Sequence, residues 1–184
     1  MYIITSMKIK IFLILFFFFM CFHELINADT METCEKKIDN LHQALLENNR
    51  SEKNPKMRLK IVNDQLGNIF DYKKMIKIIY GPDWKEIKKE KKDEISNSFL
   101  KYISYNYTKR FHNITDLNFE ILSSEDIKND ITVVRTNLNI KDKEPVGISY
   151  ICLKKNKLIF DVLLKDSISE ISTKKSEFRS TIEK

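Results

Sequence analysis

Histidine, cysteine, serine and paired carboxylates are the residues of this chain that could do chemistry. A zinc site needs three or four His, Cys or carboxylate ligands at close spacing. His42 and His112 stand far apart with no Cys or carboxylate at ligand spacing, so both are expected on the surface and no metal site is expected. Serine catalysis needs a nucleophile beside a base, and the GxSxG elbow that exposes one is absent. Gly147-Ile148-Ser149 is a lone fragment within a predicted strand. Glu125-Asp126 falls in a predicted loop, where a solvated turn explains two carboxylates better than acid/base work. The three glycines, Gly67, Gly81 and Gly147, are too few and too scattered to write GxGxxG or GxxxxGK[ST]. These residues therefore point away from an enzyme and away from a cofactor.

The N-terminus carries a stronger signal. Lys8 and Lys10 precede an unbroken apolar run over residues 11–22, and the chain turns polar from Glu24. A positive region followed by a short apolar stretch is the pattern of a secretory signal peptide, and the run falls short of the roughly 18 residues needed to span a bilayer. Residues 1–28 are read as a signal peptide cleaved near Ala28, with Met7 an alternative start. Cys21 does not mark a lipoprotein, because Phe18, Phe19 and Met20 lack the small side chains such a site needs.

Without Lys8, Lys10 and Glu24 the remainder has 30 basic and 25 acidic residues, a net charge of +5. That mild excess is scattered, and an exported protein rarely meets nucleic acid, so no nucleic-acid partner is expected. Cys34 and Cys152 survive export, one on a predicted helix and one on a predicted strand. Spacing leaves open whether they meet.

The elements that would position these residues divide the chain in two. With 42% hydrophobic and 32% charged residues the composition is globular, and residues 29–184 fit one domain. Over residues 31–112 apolar positions recur at three and four, the helical period. Ile38, Leu41, Leu45 and Leu46 line a first helix. Asn54-Pro55 opens a second, with Leu59, Val62, Leu66 and Ile69 inward. Asp71 caps a third, carrying Met75, Ile76 and Ile79, which Gly81-Pro82 ends. A fourth presents Ile95, Phe99, Tyr102, Ile103 and Tyr107. Over 113–184 the period falls to two and β-branched residues dominate, which predicts strands at 117–122, 131–140, 145–154 and 158–164. A last helix over 167–182 would dock through Ile168, Ile171 and Phe178. The expected fold class is α+β, with N-terminal helices packed on a curved four-stranded antiparallel sheet and a C-terminal helix.

Phe99, Tyr102 and Ile103 on the fourth helix would then face Phe119, Ile121, Val134, Thr136, Leu138, Ile148, Tyr150, Phe160 and Val162 on the sheet. By periodicity alone such apolar surfaces read as a closed core, with an open pocket as the alternative.

Two segments resemble the MlaC family, also called the toluene-tolerance family. Ile69-Phe70-Asp71-Tyr72-Lys73-Lys74-Met75 runs into Tyr80-Gly81-Pro82-Asp83-Trp84 and later Phe99-Leu100 and Tyr107, similar to an FD pair opening a helix, a GxxW closing it and a long helix following. Phe160-Asp161-Val162-Leu163-Leu164-Lys165-Asp166-Ser167-Ile168-Ser169-Glu170, ending Lys175-Ser176-Glu177-Phe178, is the second. With Val134 and Thr136 as a VxT pattern, the likeness covers essentially the whole of 29–184. The ending, and Pro82 after Gly81, look most like the hopanoid-associated HpnM branch. The family's usual glycine before the final helix is replaced around Asp166-Ser167, and its tryptophan opening the last strand is Leu158. The resemblance implies a periplasmic, monomeric lipid carrier. Its acyl-chain pocket would lie at the twelve residues just named from Phe99 to Val162, and it would exchange phospholipid, or alternatively a hopanoid, with membrane-bound transport complexes.

Overall fold

Three side-chain caps start the helical half. Thr33 accepts a hydrogen bond from the Lys36 amide at 3.1 Å, Asn54 from Met57 at 3.0 Å and Asp71 from Lys74 at 3.0 Å. Each satisfies an amide that the helix start leaves unpaired and stabilises by about 1 kcal/mol. The structure is a computed structural model that describes residues 33–128 and 130–182. The caps open α1 (Cys34–Arg50), α2 (Pro55–Ile69) and α3 (Tyr72–Tyr80). Gly81, at φ 74°, ends α3 in a conformation that side chains disfavour. A 3-10 turn, Gly81–Glu86, then buries Trp84 edge-on to Tyr80. The long α4 (Lys89–Arg110) follows.

The second half is an antiparallel sheet in simple sequence order, β1 (Asn118–Lys128), β2 (Ile131–Asn139), β3 (Val146–Leu153), β4 (Ile159–Leu164) and β5 (Ile168–Ser169). Helix α5 (Glu170–Ile182) closes the chain. The α+β class is as expected, but the sheet has five strands rather than four. The added strand exists because the chain reverses at Lys165 and Asp166, both at positive φ, and returns Ile168 and Ser169 beside Leu164 and Leu163. Two non-glycine residues there are held from outside. The Lys165 amide donates to the Gly147 carbonyl at 2.8 Å, and Ser149 Oγ donates to the Asp166 carboxylate at 2.6 Å. Gly147 must lack a side chain, because a Cβ there would lie 2.2 Å from an Asp166 oxygen.

Strand β1 runs past its expected end, so Glu125 and Asp126 lie on an edge strand and not in a loop. Their charges pair sideways, Glu125 with Arg135 at 3.0 Å and Asp126 with Lys154 at 2.6 Å. Charged pairs of this kind also guard a sheet edge against further strand pairing.

Strand β4 breaks the expected alternation. Cys152 pairs with Ile159 while Ile151 pairs with Asp161, so Phe160 is an extra residue in a bulge. Ile159 and Val162 both turn into the core, and Leu158 and Phe160 stay half-buried. The same bulge presents the Ile159 carbonyl to the Asp71 amide at 2.8 Å, which fastens the α2–α3 corner to the sheet.

Helix α1 lies along the inner face of β1 to β3, burying Ile38, Leu41 and Leu45. Helix α4 packs chiefly on α2 and α3, so the expectation that its aromatic stripe lies across the sheet is corrected. A disulfide between Cys34 and Cys152, Cα atoms 6.1 Å apart, ties the start of α1 to β3 across 118 residues of sequence.

A cross-link of that span constrains the unfolded chain strongly. Reducing it, or making Cys34→Ser with Cys152→Ser, is expected to lower stability by about 2–5 kcal/mol in urea titrations. Unchanged midpoints with and without reductant would contradict a bonded pair.

Candidate functional site

Strand partners share a face, so pairing sorts the candidate residues. Phe119 pairs with Leu138, Ile121 with Thr136, Thr136 with Ile148, and Val134 with Tyr150. All are on the inner face with Val162, the partner of Tyr150 on β4. The structure then divides them into three environments.

Val134, Thr136, Ile148 and Tyr150 are buried in the main core, and Thr136 Oγ1 donates to the Ile148 carbonyl at 3.0 Å. This part of the inner face is filled by the protein itself. Phe119 and Leu138 are half-buried beside it, and Ile121, 39% exposed, lies at its rim. Phe160 sits apart, with Lys74 Nζ 4.3 Å from its ring centre, because the bulge takes it out of the alternation.

Phe99, Ile103 and Val162 are brought together at the seam where α3, α4, α5 and β4 meet. With Phe70, Met75, Ile79, Tyr107 and Ile171 they surround a cavity of about 30 Å³ whose edge carries Glu170 and Lys174. The lining is apolar and the charges stand at one side. Burial pushes the Tyr107 phenol well above its ordinary range, and the nearby Glu170 charge adds to that. Burial opposes the Lys174 charge, but hydrogen bonds to Glu177 and Tyr102 outweigh it and raise the ammonium pKa. Tyr102, 37% exposed, closes this edge against Phe178 at 6.1 Å and Lys174 at 5.5 Å. Met75, Ile79 and Ile171 were legible as apolar positions at helical spacing, but nothing local assigns them to the seam.

His42 corrects the expectation of a surface histidine. It is 4% exposed, stacked on Phe119 at 4.3 Å and within 3.1 Å of the Tyr150 hydroxyl. It follows Ile38 by four residues and precedes Leu45 by three, so it belongs to the buried stripe of α1. Burial lowers its pKa to about 4, with the Asp39 charge opposing. His112 is half-buried, its Nδ1 3.3 Å from the Asn48 carbonyl. Asn49, which begins a glycosylation-type triplet, is buried and clamps Ile114 by its amide and carbonyl.

Comparison with known proteins adds three findings. A family model described as MlaC protein matches residues 35–184. The phospholipid-binding protein from Ralstonia solanacearum, solved in complex with a phospholipid, superposes with a TM-score of 0.67 at 18% identity, over 85% of this chain and 88% of that one. At that identity the match speaks for the fold alone. No curated protein matches the chain.

The His42 environment yields a pH prediction. Its folded pKa is depressed from 6.5 to about 4. Its contribution is therefore complete above pH 6.5 and lost as pH falls toward 4, by about 3 kcal/mol at most. Urea titrations of wild type and His42→Gln across that window are expected to show a steeper loss for wild type. Parallel curves would mean that His42 titrates normally.

Proposed function

The chain belongs to the MlaC family, and from that membership we propose that residues 29–184, freed of a signal peptide, carry phospholipid through the periplasm. The carrier works as a monomer, with acyl chains entering the seam between β4 and helices α3, α4 and α5. Membrane-bound complexes on either side load and unload it.

The observation that carries this reading is the seam itself, a wall of Phe99, Ile103, Val162, Met75, Ile79 and Ile171 with Lys174 and Glu170 at its edge. Apolar depth with charge at the mouth suits acyl chains within and a phosphate or amine outside. The related solved protein, which holds a phospholipid, has the same fold. A disulfide fits an oxidising compartment. Two acyl chains of some thirty methylenes in water cost on the order of 20 kcal/mol at ~0.8 kcal/mol per methylene, so unaided desorption is very slow. An apolar seam replaces that exposure.

A cavity of about 30 Å³ is far below the ~300–1,000 Å³ of ordinary ligand pockets. Loading therefore requires α3 and α5 to part from β4, and an empty carrier closes so that no apolar wall faces water. Partners release lipid by favouring the closed state. The HpnM-like ending at Lys175-Ser176-Glu177-Phe178 favours a polycyclic lipid as the alternative cargo. The tight seam also supports a second reading, an interaction module with a filled core and no cargo.

Native mass spectrometry of protein purified from a bacterial envelope separates the two. The carrier is expected to bring phospholipid masses, and Ile103→Glu to lose them. Lys174→Glu, at the edge of the seam, is expected to lower occupancy several-fold while circular dichroism stays near wild type. Protein that is persistently free of lipid would favour the filled module.

A further inference from the structure

Helix α4 has a second lined face, opposite the seam. Tyr105, Thr108 and Lys109, with His112 beyond the helix end, form one wall of a groove whose other wall is Pro55, Lys56, Arg58 and Leu59 of α2. Its cavity is about 370 Å³, within the range of small-molecule pockets and much larger than that of the seam. Tyr105, 55% exposed, stands at its mouth.

The charges of this groove are all of one sign. Lys56, Arg58 and Lys109 line it beside His112, and among the described residues no carboxylate does. Arg58 is the unusual member, because it is only 8% exposed. Its Nε donates to the Lys53 carbonyl at 3.2 Å and its Nη1 to Asn48 Oδ1 at 3.5 Å, both neutral acceptors. Among the described residues no carboxylate lies within ion-pair distance of Arg58, and Nη2, which bonds none of them, keeps contact with solvent. Glu47 lines a smaller cleft touching the other side of Arg58 and makes no ion pair with it. A guanidinium held by neutral acceptors, with one nitrogen still open, presents a planar fork that matches a carboxylate or phosphate.

We propose that the α2–α4 groove is a second ligand site, for a single-chain amphiphile with an anionic head. The head pairs with Arg58, with Lys56 and Lys109 adding attraction, and the chain lies on Pro55, Leu59 and Tyr105. The residues that build it point away from the seam, so the site stands whether or not the seam carries phospholipid.

The probe is decanoate, titrated calorimetrically into the disulfide-bonded protein without its signal segment. It is expected to bind one per chain. Acetate, which lacks the chain, and decanol and decyltrimethylammonium, which lack the anion, are expected to bind about tenfold or more weakly. Arg58→Gln is expected to weaken decanoate by a similar factor, with circular dichroism and the urea midpoint reporting its folding. Tyr105→Glu, at an exposed position, places a like charge at the mouth without disturbing the core and is expected to weaken decanoate too. Equal binding of decanol, or decanoate affinity unchanged in folded Arg58→Gln or in Tyr105→Glu, would overturn the site. So would native mass spectra in which decanoate displaces a bound phospholipid rather than adding to it.

Discussion

The bulge at Phe160 is the constraint on which the seam depends. A regular β4 would put either Ile159 or Val162 into the core, since adjacent faces alternate along a strand. With one residue inserted, both turn inward, and the Ile159 carbonyl is free to receive the Asp71 amide. That single hydrogen bond joins the corner between α2 and α3 to the sheet, beside fully packed Phe70. Phe70 in turn meets Tyr107 edge-on at 5.9 Å, so α4 is positioned through the same corner. The walls of the seam thus share one fixed end, and the other end is held by α5, whose anchors are Ile171 and the half-buried Phe178.

That asymmetry bears on how an apolar cavity could open. The core under α1 is rigidly specified. The disulfide holds the start of the helix, and His42 is clasped between Phe119 and Tyr150. Buried polar pairs of this kind require one arrangement, because any other leaves an unsatisfied group in an apolar setting. At the seam the lining is apolar, and its polar fastening is the Asp161 carboxylate of β4, which accepts from Ser169 Oγ at 2.7 Å and from the Ile171 amide at 3.2 Å at the start of α5. On its far side α4 meets a groove of opposite character, open and cationic, so one helix separates two apolar surfaces with different charge at their edges.

Local chemistry made much of the fold legible. Caps at Asn54 and Asp71, the stop at Gly81 and the change of period after Asn113 act over a few residues, and each is where the chain placed it. The seam residues Phe99, Ile103 and Val162 were legible as apolar positions, Phe99 and Val162 also as part of a family pattern. Phe160 was not correctly faced, because a period-two reading has no means of seeing a bulge created by pairing with β3 and the α2–α3 corner. His42 was misplaced because its residue type was weighed above its position in the α1 stripe.

The sequence by itself determined the family, the α+β order and which faces of each element are apolar, since these follow from residue type and short-range spacing. Tertiary structure alone decided that Cys34 meets Cys152, that the inner sheet face is filled by α1, and that Arg58 rests on the Lys53 carbonyl and the Asn48 amide oxygen beside a cationic groove. The reason is that each of these joins groups far apart along the chain, and no local periodicity encodes where distant groups come to rest.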